Sequence, residues 1–121
     1  MRKEDMVERT RHFALRVIRL VASLPTGRTA DVIGRQVLRS GTSIGANYRE
    51  ATRAATKKHF ASTLAIALRE ADETLYWLEL LRDAKLIRAH LLRDILDENN
   101  QLVAILASSV KTAAYRQSPR E

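Results

Sequence analysis

The 121-residue chain contains no cysteine, which excludes disulfide frameworks, thiolate metal sites and cysteine nucleophiles. It has only two prolines, Pro25 and Pro119, and four glycines. So few breakers in a sequence rich in Ala, Leu and Arg predict long helices. Aromatic residues are scarce at 5%, which leaves few side chains on which bases could stack. Long apolar runs are missing too. The longest, Leu102–Ala107, is far too short to span a bilayer. The charged start Met1-Arg2-Lys3-Glu4-Asp5 has no signal-peptide core. These absences predict a cytoplasmic protein that does not enter membranes. What is present is a globular composition at a length that suits one domain over residues 1–121.

Apolar spacing predicts four helices. Met6, Thr10, Phe13, Val17, Leu20 and Leu24 alternate at four and three residues, flanked by Val7, Ala14, Ile18 and Val21, which predicts a first helix over about 4–24. Leu24-Pro25-Thr26-Gly27-Arg28 is the clearest turn in the chain. Ala30, Ile33, Val37, Ser40, Ile44, Asn47 and Ala51 carry the same spacing through a second helix over about 29–53, with Thr29 or Thr26 as its cap. Thr56 is placed to cap a third helix over about 57–83, whose seam is Leu64, Leu68, Ala71, Leu75 and Leu78. Leu92, Ile95, Leu102, Leu106 and Ala113 predict a fourth over about 89–115, followed by a frayed tail over about 117–121. Four amphipathic helices with short joints make an all-α, up-down-up-down antiparallel bundle.

The second helix carries two unusual features. Gly34, Gly41 and Gly45 fall on one face, where each costs up to about 1 kcal/mol relative to Ala. They predict close approach of another helix, a reading preferred because the seam register runs through Gly41 unbroken; the alternative is that Gly41 breaks or kinks the helix. Ser40 and Asn47 stand where Leu or Ile would be usual. Ser40 is expected to bond a carbonyl one turn back, and Asn47 to find a partner across the seam as a device that fixes register. A helix-turn-helix over Ile33–Arg53, turning at Gly41, would need apolar residues near 47 and 50. Asn47 and Glu50 occupy those positions, so a straight helix is preferred.

Charge is unevenly spread. Residues 1–58 carry net +8 and residues 59–121 net −1, within a total of +7. Arg28, Arg35, Arg39, Arg49 and Arg53 lie within about 80° of arc on the second helix, opposite its seam. Arg9, Arg11, Arg16 and Arg19 add charge along the first. Guanidinium forks suit phosphates, and a one-signed arginine face is the footprint of nucleic-acid binding. With only Tyr48 close by, the pattern predicts backbone contacts to RNA or DNA with little sequence preference. The competing reading is a structural or protein-interaction module whose charge only keeps it soluble.

Catalytic patterns do not emerge. His12, His59 and His90 belong to no His-Glu-x-x-His or Glu-x-x-His motif. Glu8 and His12 are expected to form a surface pair. Glu70, Asp72 and Glu73 cluster in a way that could ligate a hard cation, but Arg69 and Arg82 are the simpler and expected partners of that cluster. There is no phosphate loop, nucleophile elbow or dinucleotide fingerprint. The expectation is a non-enzyme with no cofactor and no metal.

Two blocks carry a family resemblance. Arg39-Ser40-Gly41-Thr42-Ser43-Ile44-Gly45-Ala46-Asn47-Tyr48-Arg49-Glu50-Ala51 resembles the signature of the four-helix-bundle 23S rRNA-intervening-sequence (S23) proteins. Ala67-Leu68-Arg69-Glu70-Ala71-Asp72-Glu73-Thr74-Leu75-Tyr76-Trp77-Leu78 also resembles that family, although Arg69 is commonly Lys there. The family it resembles is similar, in turn, to the accessory variability proteins of diversity-generating retroelements, basic pentameric bundles that bind nucleic acid. The resemblance implies a ring-shaped homopentamer and no established activity. The residues independently point to assembly. Ile66, Tyr76, Trp77 and Leu80 form an apolar strip outside the third helix's seam, an expected subunit interface with Arg69 and Glu73 pairing in or near it.

Overall fold

The computed structural model describes residues 1–117 and contains four helices: α1 Lys3–Ala22, α2 Arg28–Thr52, α3 Lys57–Asp83 and α4 Ala89–Gln117. The expected tail at 118–121 lies outside the described residues, whereas Gln117 is the last residue of α4. Each helix packs on its neighbour in sequence, giving the up-down bundle. The closing contact, α1 with α4, is much sparser than the other three.

Helix boundaries follow local chemistry. α1 stops two residues short of the expected end, because the residue before Pro25 is sterically driven out of helical geometry. Ser23 Oγ donates to the Leu20 carbonyl at 2.7 Å there. Neither Thr26 nor Thr29 caps α2. The N-cap is Gly27, at φ 143° and with no side-chain cap bond, a backbone geometry that Thr could not adopt without strain. Thr56 does cap α3, accepting from the His59 amide at 3.0 Å. α3 ends in a Schellman-type turn. The Lys85 and Leu86 amides donate to the Arg82 and Leu81 carbonyls, with Lys85 in the left-handed region at φ 59°.

The core is built from the expected seams. Phe13, Val17, Val37, Ile44, Leu64, Leu78, Leu92, Leu102 and Leu106 are fully buried. α2 is unbroken at Gly41, and α1 lies on its glycine side. A Cβ on Gly41 would sit 2.8 Å from Val17 Cγ2 and 2.9 Å from Cγ1. On Gly45 it would meet the Thr10 backbone carbonyl at 3.3 Å. On Gly34 it would press on the tip of the Leu24 side chain, at 2.9 Å, and rest in ordinary contact with Val21 Cγ1 at 3.6 Å.

Ser40 donates to the Gln36 carbonyl at 2.7 Å, as expected. Asn47 does not cross the seam. It is half-buried and donates to Ser43 of its own helix at 2.8 Å, while the next residue, Tyr48, turns inward instead. Burial pushes the Tyr48 hydroxyl pKa up, and the negative charge of Glu4 adds to the shift. A fully buried polar residue that does cross between helices is Asn99. It donates to the Ala71 carbonyl of α3 at 2.9 Å.

The sparse α1–α4 contact is closed by a forked ion pair. Arg9 Nε and Nη2 each donate to a Glu98 carboxylate oxygen at 2.7 Å, and Nη2 also reaches Gln101 Oε1 at 2.7 Å. Both charged side chains are about four-fifths covered, at 23% and 19% exposure. Hydrogen bonding and charge from Arg9 hold the Glu98 carboxyl below the usual glutamate range, against the opposing effect of burial.

Two outcomes follow from this packing. Gly41→Ala should lower stability by about 1–3 kcal/mol through overpacking against the branched Val17, although Ala is the better helix former by up to about 1 kcal/mol. Gly34→Ala, facing a side chain that can rotate away, should be neutral or stabilising. Thermal melts of the two variants check this, and a Gly41→Ala protein that melts at or above wild type would contradict the packing argument. Because Glu98 has a lowered pKa in the folded state, its contribution is fully present above the unfolded glutamate value of about 4.3 and is lost as pH falls through the lower folded value. Glu98→Gln should therefore destabilise at neutral pH by about 1.5–3 kcal/mol. The same variant should flatten the fall of melting temperature with pH below about 4.3, which a pH series of melts reads directly.

Candidate nucleic-acid interface

Burying Ala30, Val37, Ser40, Ile44 and Ala51 on the inner side of α2 leaves Arg28, Arg35, Arg39 and Arg49 exposed on the outer side, while Arg53, expected as the last residue of the helix, is exposed one position past it as the C-cap. The helical period alone places them on one ridge. Among the described residues, no carboxylate lies within ion-pair distance of Arg28, Arg35, Arg49 or Arg53.

Arg39 is different. Its guanidinium lies 3.3 Å from Glu70 and also binds the Glu73 carboxylate, and Gln36 Oε1 accepts from it at 3.3 Å. Arg39 therefore ties α2 to α3 and is not a free cation of the ridge. This pairing also replaces the partners expected for the acidic cluster. Arg82 bonds Asp83 instead, and Glu73 additionally accepts from the Trp77 indole at 3.3 Å. Arg39 reaches them because antiparallel packing brings its level of α2 beside the 70–73 turn of α3.

The arginines of α1 divide in the same way. Arg9 is consumed by Glu98 and is no part of a basic surface. Arg16 is half-buried, and its charge, with that of His12, adds to the lowering of the Glu98 pKa. Arg11 and Arg19 are exposed. Glu8 and His12, expected to pair, form no ion pair among the described residues. Tyr48, the one aromatic near the ridge in sequence, is buried in the core, so it offers no stacking surface.

On α3, the six expected interface residues keep different company. Tyr76 is 54% exposed, and Arg69 is exposed as well. Ile66, Glu73, Trp77 and Leu80 are half-buried by their own chain. The Tyr76 and Trp77 rings meet edge to face at 5.1 Å. Val32, missed in the sequence reading of the strip, is 53% exposed on the side of α2 that faces α3. Among the described residues, no group of three His, Asp or Glu is placed to hold a metal ion, and no helix is long and apolar enough to cross a membrane.

Comparison with known proteins places this architecture. No curated protein matches the chain. The pattern of the 23S rRNA-intervening sequence protein family matches residues 2–108. A crystal structure of a protein of unknown function from the S23 ribosomal protein family of Bacteroides thetaiotaomicron VPI-5482 superposes with a TM-score of 0.84. It is 38% identical, over 92% of this chain and 99% of that one. Both matches concern the S23 family, and neither supports the expected similarity to accessory variability proteins. Since the family pattern spans most of the chain and this relative aligns along nearly all of it, the chain belongs to the 23S rRNA-intervening sequence protein (S23) family.

Proposed function

We propose that this S23 protein is a non-catalytic cytoplasmic assembly of helical bundles that binds RNA or DNA through the outer ridge of α2. The observation that carries this reading is the set of four exposed arginines, Arg28, Arg35 and Arg49 on one side of α2 and Arg53 at its C-cap, without an ion-pair partner among the described residues. Unpaired guanidiniums in a row suit a chain of phosphates. The burial of Tyr48 leaves base stacking no platform on the ridge, which favours backbone contacts with little sequence preference. A ring, the pentamer implied by the family resemblance, would present the ridge several times, and weak contacts would add through multivalency.

The second reading, a protein-interaction module without nucleic acid, is favoured by the exposed Tyr76 and Val32. A salt series separates the two. Duplex or structured RNA should bind with an affinity that falls steeply with salt, and each phosphate contact removed should reduce the log–log slope by about one. The variant Arg28→Gln, Arg35→Gln, Arg49→Gln, Arg53→Gln should lose binding, with each change shifting stability by no more than about 0.5 kcal/mol. Arg39 is left out, since removing it would strand Glu70, whose side chain is only 12% exposed. Binding unchanged in the quadruple variant, or absent from the wild type at physiological salt, would leave the interaction-module reading standing.

Assembly has its own test. Light scattering at micromolar concentration should give a multiple of the 13.7 kDa subunit mass, and Tyr76→Asp should reduce it if α3 forms the contact. A monomer mass for the wild type would overturn the ring.

A further inference from the structure

The ridge arginines differ in what stands beside them. Arg35 shares its cleft with Asp31, a local counter-charge. Arg49 forms no ion pair among the described residues, and no acidic side chain shares its groove. It lines a groove of about 210 Å³ between α1 and α2 together with Arg11, a residue of the other helix. No described acidic residue lines this groove. Gly45, Ala46 and Ala14 form part of its wall, and the remaining polar side chain is that of Thr42. The Thr42 hydroxyl donates to the Leu38 carbonyl at 2.7 Å and carries no negative charge to balance the two cations.

The groove exists because of the glycine packing. At Gly45 the two helices are so close that even a Cβ would press on the Thr10 backbone. That approach sets an arginine of α1 and an arginine of α2 on either side of one depression with small walls. Neither has an ion-pair partner among the described residues. Two guanidiniums around one groove repel each other unless an anion lies between them. Small walls let a bulky anion approach, and two forks from two helices suit the non-bridging oxygens of a phosphodiester.

We propose that Arg11 and Arg49 form a phosphate seat, the place where one backbone phosphate of the bound nucleic acid is gripped by both helices. The inference rests on the reading of α2 as a nucleic-acid ridge and adds to it a residue of α1 and a definite position. Along the rest of the ridge, arginines act as separate charges. At the seat two act as one unit.

Coupling between the two substitutions is the test. RNA binding at fixed salt is measured for Arg11→Gln, Arg49→Gln, their double variant and Arg53→Gln, a ridge arginine outside the groove. Each seat variant should weaken binding by about tenfold, and the double variant by little more than either alone. Arg53→Gln should show a smaller loss that multiplies with the others. Ala46→Glu, at an exposed position, should match the double variant by supplying an internal anion. In a parallel titration with inorganic phosphate, the side-chain Nε resonances of Arg11 and Arg49 should move together and ahead of those of Arg28 and Arg53.

Losses that multiply independently for Arg11 and Arg49, or phosphate shifts equal at all four arginines, overturn the seat while leaving the ridge intact. If wild type binds no RNA, the ridge reading fails, and the phosphate titration still decides whether the seat exists. Displacement of RNA by polyglutamate as effectively as by unlabelled RNA of equal charge would assign the groove to acidic peptide instead and overturn it.

Discussion

The close approach of α1 to the glycine side of α2 is the constraint on which the other features depend. Val17 occupies the space that a side chain at position 41 would need, and Thr10 does the same at position 45. With α1 held there, α2 can rotate very little about its own axis. Its seam must then face the core, its opposite edge must meet α3, and its arginines are left in solvent. Glycine is costly inside a helix, and here the cost is offset by backbone proximity that no larger residue permits. The glycines thus fix which way the arginine ridge points.

Inter-helix ion pairs complete this geometry at its edges. Arg39 joins α2 to α3 through Glu70 and Glu73, and Arg9 joins α1 to α4 through Glu98. These pairs are partly covered and, at Arg9, doubly hydrogen-bonded, so they are worth more than ordinary surface pairs. The Arg9 fork stands where hydrophobic closure is weakest, since α1 and α4 meet only sparsely. The pairs also reduce the charge available to a ligand. The formal +7 includes arginines whose task is structural, and the basic surface that remains is narrower and more localised than composition suggests.

Much of the architecture was legible in the amino-acid order. The 57–83 helix emerged at its full extent from Thr56 and the leucine spacing. The continuity of α2 through Gly41, the close packing at Gly41 and Gly45, and the back-bond of Ser40 were all readable, because each depends on helical period and local sterics. Reading failed where two positions could serve one role. Asn47 and Tyr48 are adjacent and flank the seam on either side, and the structure buries the ring and leaves the amide bonded to its own helix. Asn99 occupies the seam step between Ile95 and Leu102. That gap in the apolar series was the signal that could have identified it as the polar residue bridging α3 and α4.

By itself the sequence determined the elements, their order, the face each one buries and the row of arginines along α2, all of which follow from spacing of 3.6 residues per turn and from the conformational limits of Pro and Gly. It did not determine which arginines are free. That depends on what a neighbouring helix places within a few ångströms, and antiparallel packing pairs residues far apart in the chain: Arg9 with Glu98, and Arg39 with Glu70 and Glu73. It also could not bring Arg11 and Arg49 to one groove, because their proximity comes from the depth to which α1 sinks into α2. Only the tertiary structure decided these points, since a side chain's charge is set by its own chemistry but its partner is set by the packing of another helix.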